Sequence, residues 1–385
     1  MRVEGVEVVV AKLSLRDPIR SAGLTHRDRT TVFLRLVAGG AEGWGECSAY
    51  PGAREPDPTV VAIEPAAIDA VVQRFFAACP HGEIIAAESV ADAVLVPSSV
   101  ARRSVAAAVE MAVLDLELTG ASRSLTSLLG VSAAVEVQSG SMVGIPRDRD
   151  LGRLVEGVGR ALDAGARRVR VKIEPGWDHR PLEALRDCYP DAVMMADANG
   201  SFDPNTSSQV RTLDAYQLRC LEQPFAPREL SAHGELARTM STPIGLDESL
   251  SSLARIADAV GSGACRVACI KPGRLGGVFA AVSAAQVCEA AGVACFVGGL
   301  FESGLARAVN AAVAGRPEFE LPGDLGDPAE YLDANPFAYL ATTDGLVRLS
   351  DEPGLGAVVR PEILAERTVA RRWIPYRPGT AHRAE

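Results

Sequence analysis

The sequence contains very little lysine. Of its 39 basic residues only three are lysines, Lys12, Lys172 and Lys271. Arginine therefore supplies positive charge almost everywhere in this chain. Burial or a neighbouring cation can bring the pKa of a lysine towards neutrality, so lysine can exchange a proton where arginine cannot. Each lysine is therefore a candidate for a role that charge alone does not fill.

The sequence also lacks clustered basic residues and a long apolar run at its start. Its net charge is −10, whereas nucleic acids and anionic membranes are bound by clustered Lys and Arg. Glu4, Glu7 and Lys12 interrupt the first apolar stretch, which argues against a signal peptide or membrane span there. We expect a cytoplasmic protein with a small-molecule partner and no nucleic-acid or membrane partner.

No CxxC pair occurs among the eight cysteines, which are scattered and lie mostly in apolar runs. A disulfide framework or a cysteine-based metal site usually shows paired spacing. We therefore expect reduced, buried cysteines that fill the core.

The length of the chain predicts two domains. Residues 1–130 begin with strand-like alternation and continue with helical periodicity, which predicts an α+β domain. Its strand-like runs span residues 3–13, 30–37 and 43–50, with a turn at 38–40, and its helical stretches span 63–79 and 98–118. Residues 131–330 contain eight β-branched runs that alternate with amphipathic stretches, a pattern typical of a (β/α)8 TIM barrel. We expect residues 331–385 to return to the first domain.

The ends of the barrel runs carry ionisable residues. The eight runs span residues 137–145, 168–173, 192–198, 217–222, 243–247, 266–270, 294–297 and 319–321. Five consecutive runs end on or beside Lys172, Asp197, Glu222, Asp247 and Lys271, at spacings of 25, 25, 25 and 24 residues. Functional residues of TIM barrels lie at the C-terminal ends of the strands, so we expect these five around one rim. Solvated loop charges are the competing interpretation.

Three carboxylates at one rim predict a metal ion. Asp197, Glu222 and Asp247 would repel one another unless a cation neutralised them. Oxygen ligands with no histidine or cysteine nearby favour Mg²⁺, or Mn²⁺, over zinc. Glu248 is an alternative to Asp247, because strand alternation lets only one of them point inward. Lysines on opposite flanks of such an ion suit proton transfer at a carbon next to a carboxylate.

Further candidates surround these five residues. Arg170 lies one pleat before Lys172 and is a candidate for the cation that lowers its pKa. Asn199 either contacts the site or serves only the turn. Gly298 and Gly299 either let a substrate approach the backbone or serve only a turn.

Together these motifs resemble the enolase superfamily, in its muconate-lactonizing-type subgroup, and within it the o-succinylbenzoate synthase / N-succinylamino acid racemase family. The stretches that carry the resemblance are VEMAVLDLE (109–117), KIEPGWD (172–178), DANGSF (197–202), EQPF (222–225), LDES (246–249), IKPGRLGG (270–277), GGLFESGLARAVN (298–310) and LPGD (321–324). The resemblance implies a modified (β/α)8 barrel with an α+β capping domain built from the N-terminal segment and the C-terminal tail. It also implies Lys172 and Lys271 as the acid/base pair and Asp197, Glu222 and Asp247 as ligands of Mg²⁺.

The resemblance implies an activity as well. o-Succinylbenzoate synthesis, a dehydration in menaquinone biosynthesis, is the first expectation, racemisation of N-succinyl or other N-acylamino acids is the alternative, and a non-catalytic metal- and ligand-binding barrel is the alternative of another class. A homo-oligomer is expected. In the family's K-x-K element the first lysine is Arg170 here, and the lid segment departs from the family's pattern. The candidate substrate contacts are Arg20 in the lid, Ser141, Asn199, Arg170, Gly298, Gly299 and Leu300.

Overall fold

The computed structural model describes residues 1–21, 24–47, 64–84, 86–94, 99–339 and 342–378. The first strands are β1 (Val3–Ser21), β2 (Leu24–Ala38) and β3 (Ala41–Cys47). The helices that follow are α1 (Pro65–Ala77), α2 (Ala87–Val94), α3 (Val100–Gly120) and α4 (Leu125–Leu128). Both helices expected in this part from the periodicity are confirmed. Residues 48–50 of the third predicted strand lie outside the described residues.

The middle of the chain alternates short strands with helices. Its strands are β4 (Glu136–Gln138), β5 (Ser141–Val143), β6 (Val169–Lys172), β7 (Met194–Asp197), β8 (Cys220–Glu222), β9 (Ile244–Leu246), β10 (Val267–Ile270) and β11 (Ala294–Val297). Its helices are α5 (Leu151–Asp163), α6 (His179–Cys188), α7 (Ser207–Arg211), α8 (Leu230–Thr239), α9 (Leu253–Gly261), α10 (Pro272–Leu275), α11 (Val278–Ala290) and α12 (Gly304–Ala314).

The C-terminal segment adds short strands and returns to the start of the chain. It contains β12 (Phe337–Ala338), β13 (Thr342–Thr343), β14 (Leu346–Arg348), β15 (Val358–Val359), α13 (Pro361–Arg367) and β16 (Thr368–Pro375). Strand β16 pairs antiparallel with β1. The N-terminal sheet therefore has the order β16-β1-β2-β3, and the expected return of the C-terminal tail is confirmed.

Helix α3 packs closely on the N-terminal sheet. A Cβ atom at Gly43 or Gly45 of β3 would collide with the main chain of α3 at Ala112 or Ala108. Glycine is required at both positions because a residue with a Cβ atom there would keep the strand and the helix from approaching so closely. The predicted hairpin between β2 and β3 is confirmed, with Gly39 and Gly40 at φ of 60° and 77°.

A curled parallel sheet forms the other part of the fold. Its seven strands run in the order β11-β10-β9-β8-β7-β6-β5, which follows the chain. Residues 137–145, predicted as one strand, divide into β4 and β5, and β4 pairs with β14 instead.

The eighth predicted strand, residues 319–321, is wrong. The described structure there is an extended segment in which Leu321 N donates to Cys295 O and Gly323 forms a single bridge with Ser139. Pro322 lacks an N–H group and so cannot continue a ladder of hydrogen bonds. The segment nevertheless spans the gap between β11 and β5.

The inside of the curled sheet is filled mainly by apolar side chains. The buried cluster there consists of Met195, Cys220, Val267, Cys269, Phe296 and Leu321. None of the eight cysteines forms a disulfide, and all except Cys188 are buried, largely as expected. Among the described helices, none is both long enough and apolar enough to cross a membrane.

Candidate active site

Five ionisable side chains meet at the carboxyl ends of five neighbouring strands. Lys172, Asp197 and Glu222 are the last residues of β6, β7 and β8. Asp247 and Lys271 directly follow β9 and β10. The parallel register pairs Lys172 with Asp197, and Asp197 with Glu222. The structure therefore brings together the residues that the sequence spacing placed around one rim.

Each of the two rim lysines forms an ion pair with the neighbouring aspartate. Lys172 Nζ lies 2.6 Å from Asp197 Oδ2, and Lys271 Nζ lies 2.7 Å from Asp247 Oδ2. All four residues are buried. Burial disfavours the charged form of Lys271, but the Asp247 carboxylate outweighs this effect and raises the pKa of the ammonium above its ordinary value. The lysines thus approach the carboxylates from opposite flanks.

Arg170 binds the carboxylates from below the rim. Its Nη1 lies 2.5 and 2.8 Å from the two oxygens of Glu222 and 3.5 Å from Asp197 Oδ2. Its other terminal nitrogen donates to Asp324. The guanidinium therefore contacts three carboxylates at once, and its suggested effect on the pKa of Lys172 stays a prediction.

Glu222 is a buried acid that lies between two other carboxylates. Burial raises the pKa of its carboxyl group to about 7, against the opposing charge of Arg170. The neighbouring charges of Asp197 and Asp247 contribute to this raised value. A set of buried carboxylate oxygens that repel one another fits a hard divalent cation such as Mg²⁺.

Asp324 is a buried acid that the sequence analysis placed in a matching stretch but gave no role. It accepts a hydrogen bond from Arg168 Nη2 at 2.7 Å, another from Arg170, and a third from Gly299 N at 3.2 Å. Burial works against its charge, but Arg170 and Arg168 outweigh burial and lower the pKa of Asp324 below its ordinary range. Arg168 and Arg170 both lie on a predicted barrel strand, and their charges indicated that a buried acid such as Asp324 must be close to them.

Arg274 is a second residue to which no role was given. It lies in α10, the helix that follows Lys271, and its Nη1 donates to Asp247 Oδ1 at 2.5 Å and to Asp247 O at 2.7 Å. Burial would raise the pKa of Asp247, but the charges of Arg274 and Lys271 hold it well below its ordinary range. Arg274 thereby fixes the orientation of this carboxylate.

Asn199 serves both the turn and the site. Its backbone is left-handed, with φ of 44°. Its Oδ1 accepts from Lys172 Nζ at 2.8 Å, and its Nδ2 donates to Glu248 Oε1 at 2.9 Å. Glu248, the alternative ligand, is thus turned towards Asn199, whereas Asp247 lies beside Glu222.

Cys269 lies among the proposed ligands, contrary to the expectation that no cysteine is near. One ligand atom each of Glu222, Asp247 and Cys269 lies within 4.8 Å of the others. Cys269 lies on β10, two residues before Lys271, and strand alternation places both side chains on the same inward face. That spacing was the signal for this position.

The remaining candidates have mixed positions. A Cβ atom at Gly298 would lie 2.8 Å from Lys271 Cε, so this glycine leaves room for the lysine side chain. Gly299 contacts Asp324, and Leu300 is buried. Ser141 begins β5 and donates through its backbone to Arg168 O. The side chain of Arg20 lies outside the described residues.

Two carboxylates of the N-terminal part accept hydrogen bonds from the N-termini of helices that belong to the part of the chain with the curled sheet. Glu46 in β3 accepts from Ser303 N at 2.9 Å, from Ser303 Oγ at 2.7 Å and from Ala306 N at 3.1 Å, at the N-terminus of α12. Glu110 in α3 accepts from Val278 N, at the N-terminus of α11. We call these contacts the two helix clamps. They stabilise helix ends whose N–H groups have no partner within the helix.

Comparison with known proteins assigns the family. Residues 153–363 match the family model described as enolase C-terminal domain-like, and residues 4–130 match the N-terminal domain of mandelate racemase / muconate lactonizing enzyme. The chain belongs to the enolase superfamily.

Relatives span nearly the whole length of this enolase-superfamily chain. It is 35% identical to an N-succinylamino acid racemase of Amycolatopsis, over 97% of this chain and 100% of the relative. It is 29% identical to an o-succinylbenzoate synthase of Bacillus subtilis, over 94% of this chain and 96% of the relative. A solved enolase-superfamily structure from Listeria innocua matches with a TM-score of 0.89 and 26% identity, over 98% of this chain and 100% of the other. The protein is thus an enzyme of lyase or racemase type.

Proposed function

We propose that the enzyme removes a proton from a carbon next to a substrate carboxylate. Lys172 and Lys271 are the acid/base pair, and Asp197, Glu222 and Asp247 bind Mg²⁺ or Mn²⁺. The observation that carries the proposal is the placement of the two lysines on opposite flanks of three buried carboxylates. When bound, the ion supplies positive charge for the substrate carboxylate and for the enediolate that follows proton removal.

The side chains divide the remaining work. Lys172, held by Asn199, takes the α-proton, and Lys271 on the opposite flank stabilises the negative charge or delivers a proton to the other face. Arg274 keeps Asp247 in position, and Arg170 does the same for Glu222.

Charge balance supports a substrate with two carboxylates. The buried acids of the rim and barrel interior are Asp197, Glu222, Asp247, Glu248 and Asp324, and the buried cations are Arg168, Arg170, Lys172, Lys271 and Arg274. These two sets balance, so a divalent cation adds two positive charges. A dicarboxylate neutralises them in a site where uncompensated charge is costly.

Within that class, the first candidate activity is o-succinylbenzoate synthase. Lys172 removes the α-proton, and the departure of hydroxide from the neighbouring carbon completes the dehydration. The second candidate is an N-succinylamino acid racemase, favoured by the two opposed lysines and by the name of the Amycolatopsis relative. Both substrates are dicarboxylates.

The test is turnover of the o-succinylbenzoate precursor with Mg²⁺, run beside racemisation of N-succinyl amino acids. Lys172→Ala should abolish whichever activity the wild type shows. Lys12→Ala is the matched control, because Lys12 is exposed and pairs with Asp28 at the surface. The substrate that turns over identifies the activity. Equal activity in Lys172→Ala would contradict the assigned base.

A non-catalytic barrel predicts a different result. Solvent deuterium enters the α-position of a bound substrate only if a group on the enzyme removes that proton. Absence of exchange with every acyl amino acid and with the synthase precursor would contradict the proposed proton transfer.

A further inference from the structure

The rim contains a sulfur ligand beside the carboxylates. The thiol of Cys269 is buried, with 1% of the residue exposed. Its sulfur and one oxygen each of Glu222 and Asp247 all lie within 4.8 Å of one another. Ligands of a tetrahedral zinc ion lie about 2.0–2.3 Å from the metal, so one ion can bind all three atoms once the two carboxylates turn from the arginines and the lysine that hold them.

The thiol is aimed into this group and makes no hydrogen bond that the described residues show. Gly298 on the adjoining strand end faces the sulfur, since a Cβ atom there would collide with Cys269 Sγ. A serine or an apolar side chain would fill the same space without offering a soft ligand. Within the part of the chain that the structure describes, the sulfur therefore lies beside the two carboxylates without a hydrogen-bond partner.

We infer that Cys269, Glu222 and Asp247 form a second metal-binding mode that takes a thiophilic divalent ion such as Zn²⁺ or Cd²⁺. The inference rests on the proposed metal-binding role of the two carboxylates. A ligand set of one sulfur and two oxygens is softer than three carboxylates, and soft ligands favour zinc-type ions over magnesium. When the ion binds, the thiol releases its proton to solvent and the sulfur bonds to the metal.

The two modes share Glu222 and Asp247 and therefore exclude each other. Asp197 belongs only to the proposed Mg²⁺ site, and Cys269 belongs only to the thiophilic one. A thiophilic ion therefore displaces Mg²⁺ and does not bind beside it.

Cadmium reports the sulfur bond directly, because a thiolate–Cd²⁺ bond gives an ultraviolet charge-transfer band. The full-length chain, freed of metals with a chelator, is titrated with Cd²⁺ alone. The band should rise in the wild type and in Cys265→Ser, and be absent in Cys269→Ser and Cys269→Ala. Cys265 is a matched control because it is also buried but lies outside the ligand group. The affinity for Cd²⁺ should fall on the order of a hundredfold or more in the Cys269 variants, because loss of a direct ligand costs at least as much as loss of a residue that only supports one.

Binding of Mn²⁺ separates this inference from the proposed function. Mn²⁺ should bind the wild type and both Cys269 variants alike, which also shows that the variants fold. If Mn²⁺ binds but the wild type shows no band with Cd²⁺, or both Cys269 variants keep the band, the second binding mode is wrong while the proposed Mg²⁺ site stands. If neither ion binds, the shared carboxylates are not ligands and both proposals fail.

Discussion

Asn199 holds the proposed base while its own backbone is strained. The left-handed conformation costs a non-glycine residue free energy, and such costs concentrate at functional sites. The amide compensates by accepting from Lys172 and donating to Glu248. The side chain therefore has a use that the turn alone does not require.

Asn199→Gly should lower kcat on the order of ten- to a hundredfold with little change in KM, because Lys172 loses the contact that positions its amine. Glycine adopts the same φ without strain, so folding is preserved. Steady-state kinetics check this, with Gln217→Gly as the matched control, since Gln217 has φ of 50° at an exposed position. An unchanged kcat would mean that the amide serves the turn only.

At the scale of single residues, the functional side chains at the ends of strands were easier to predict from the sequence than those that lie between the strands or in helices. The five rim residues were visible because each βα unit repeats at nearly constant length. Asp324 lies in an irregular segment and Arg274 lies in a short helix, and the paths of both depend on tertiary packing, so no spacing predicts their partners. Strand alternation predicts that Cys269 faces the site, but cysteine in an apolar run suggested only a buried residue that fills the core.

Secondary-structure elements are joined by the clamp at Glu46. Its carboxylate receives two backbone N–H groups and one hydroxyl at the start of α12, and the carboxylate is fully buried. Helix N-termini favour negative charge, and a buried acceptor that is lost leaves its donors unsatisfied.

Glu46→Gln should lower the free energy of unfolding by about 1–3 kcal/mol, because the amide keeps the shape but loses the charge and one acceptor. Urea denaturation measures the change. Ser303→Ala and the double variant complete a thermodynamic cycle, in which residues in direct contact should show non-additive effects. Strict additivity would indicate that the two side chains do not interact.

The order of elements was more predictable than their boundaries. Seven parallel strands occur in the predicted order. The eighth predicted run forms no ladder of hydrogen bonds, because Pro322 has no N–H to donate. The division between β4 and β5 was not foreseeable, since β4 pairs with β14, which lies more than two hundred residues later in the chain. Long-range pairing of this kind leaves no local pattern.

For the molecule as a whole, Glu110 couples stability to pH. Burial raises the pKa of this carboxyl group to about 8, against the opposing hydrogen bonds from the backbone of Val278 and Phe279. Its ordinary value is 4.5, so between these limits the folded state holds a proton that the unfolded state has lost. The contribution of this group to stability is fully present below pH 4.5 and is lost as pH rises through about 8.

Glu110→Gln should therefore flatten the fall in stability between these pH values. The measurement is the midpoint temperature of thermal unfolding of wild type and variant across that range. Subtracting one curve from the other separates the effect of Glu110 from that of other titrating groups. Glu117→Gln, on the same helix, is the matched control. Parallel curves for wild type and Glu110→Gln would contradict the raised pKa.

The helix clamps also limit how this protein can recombine with its relatives. Each clamp places an acid of the N-terminal part against buried N–H groups of a helix encoded far away in the gene. A hybrid that joins the N-terminal part of one protein to the curled sheet of another keeps those helix ends satisfied only if both acids arrive at the same positions. Cap and barrel therefore depend on each other for folding, and a hybrid that lacks either acid should be less stable than both parents.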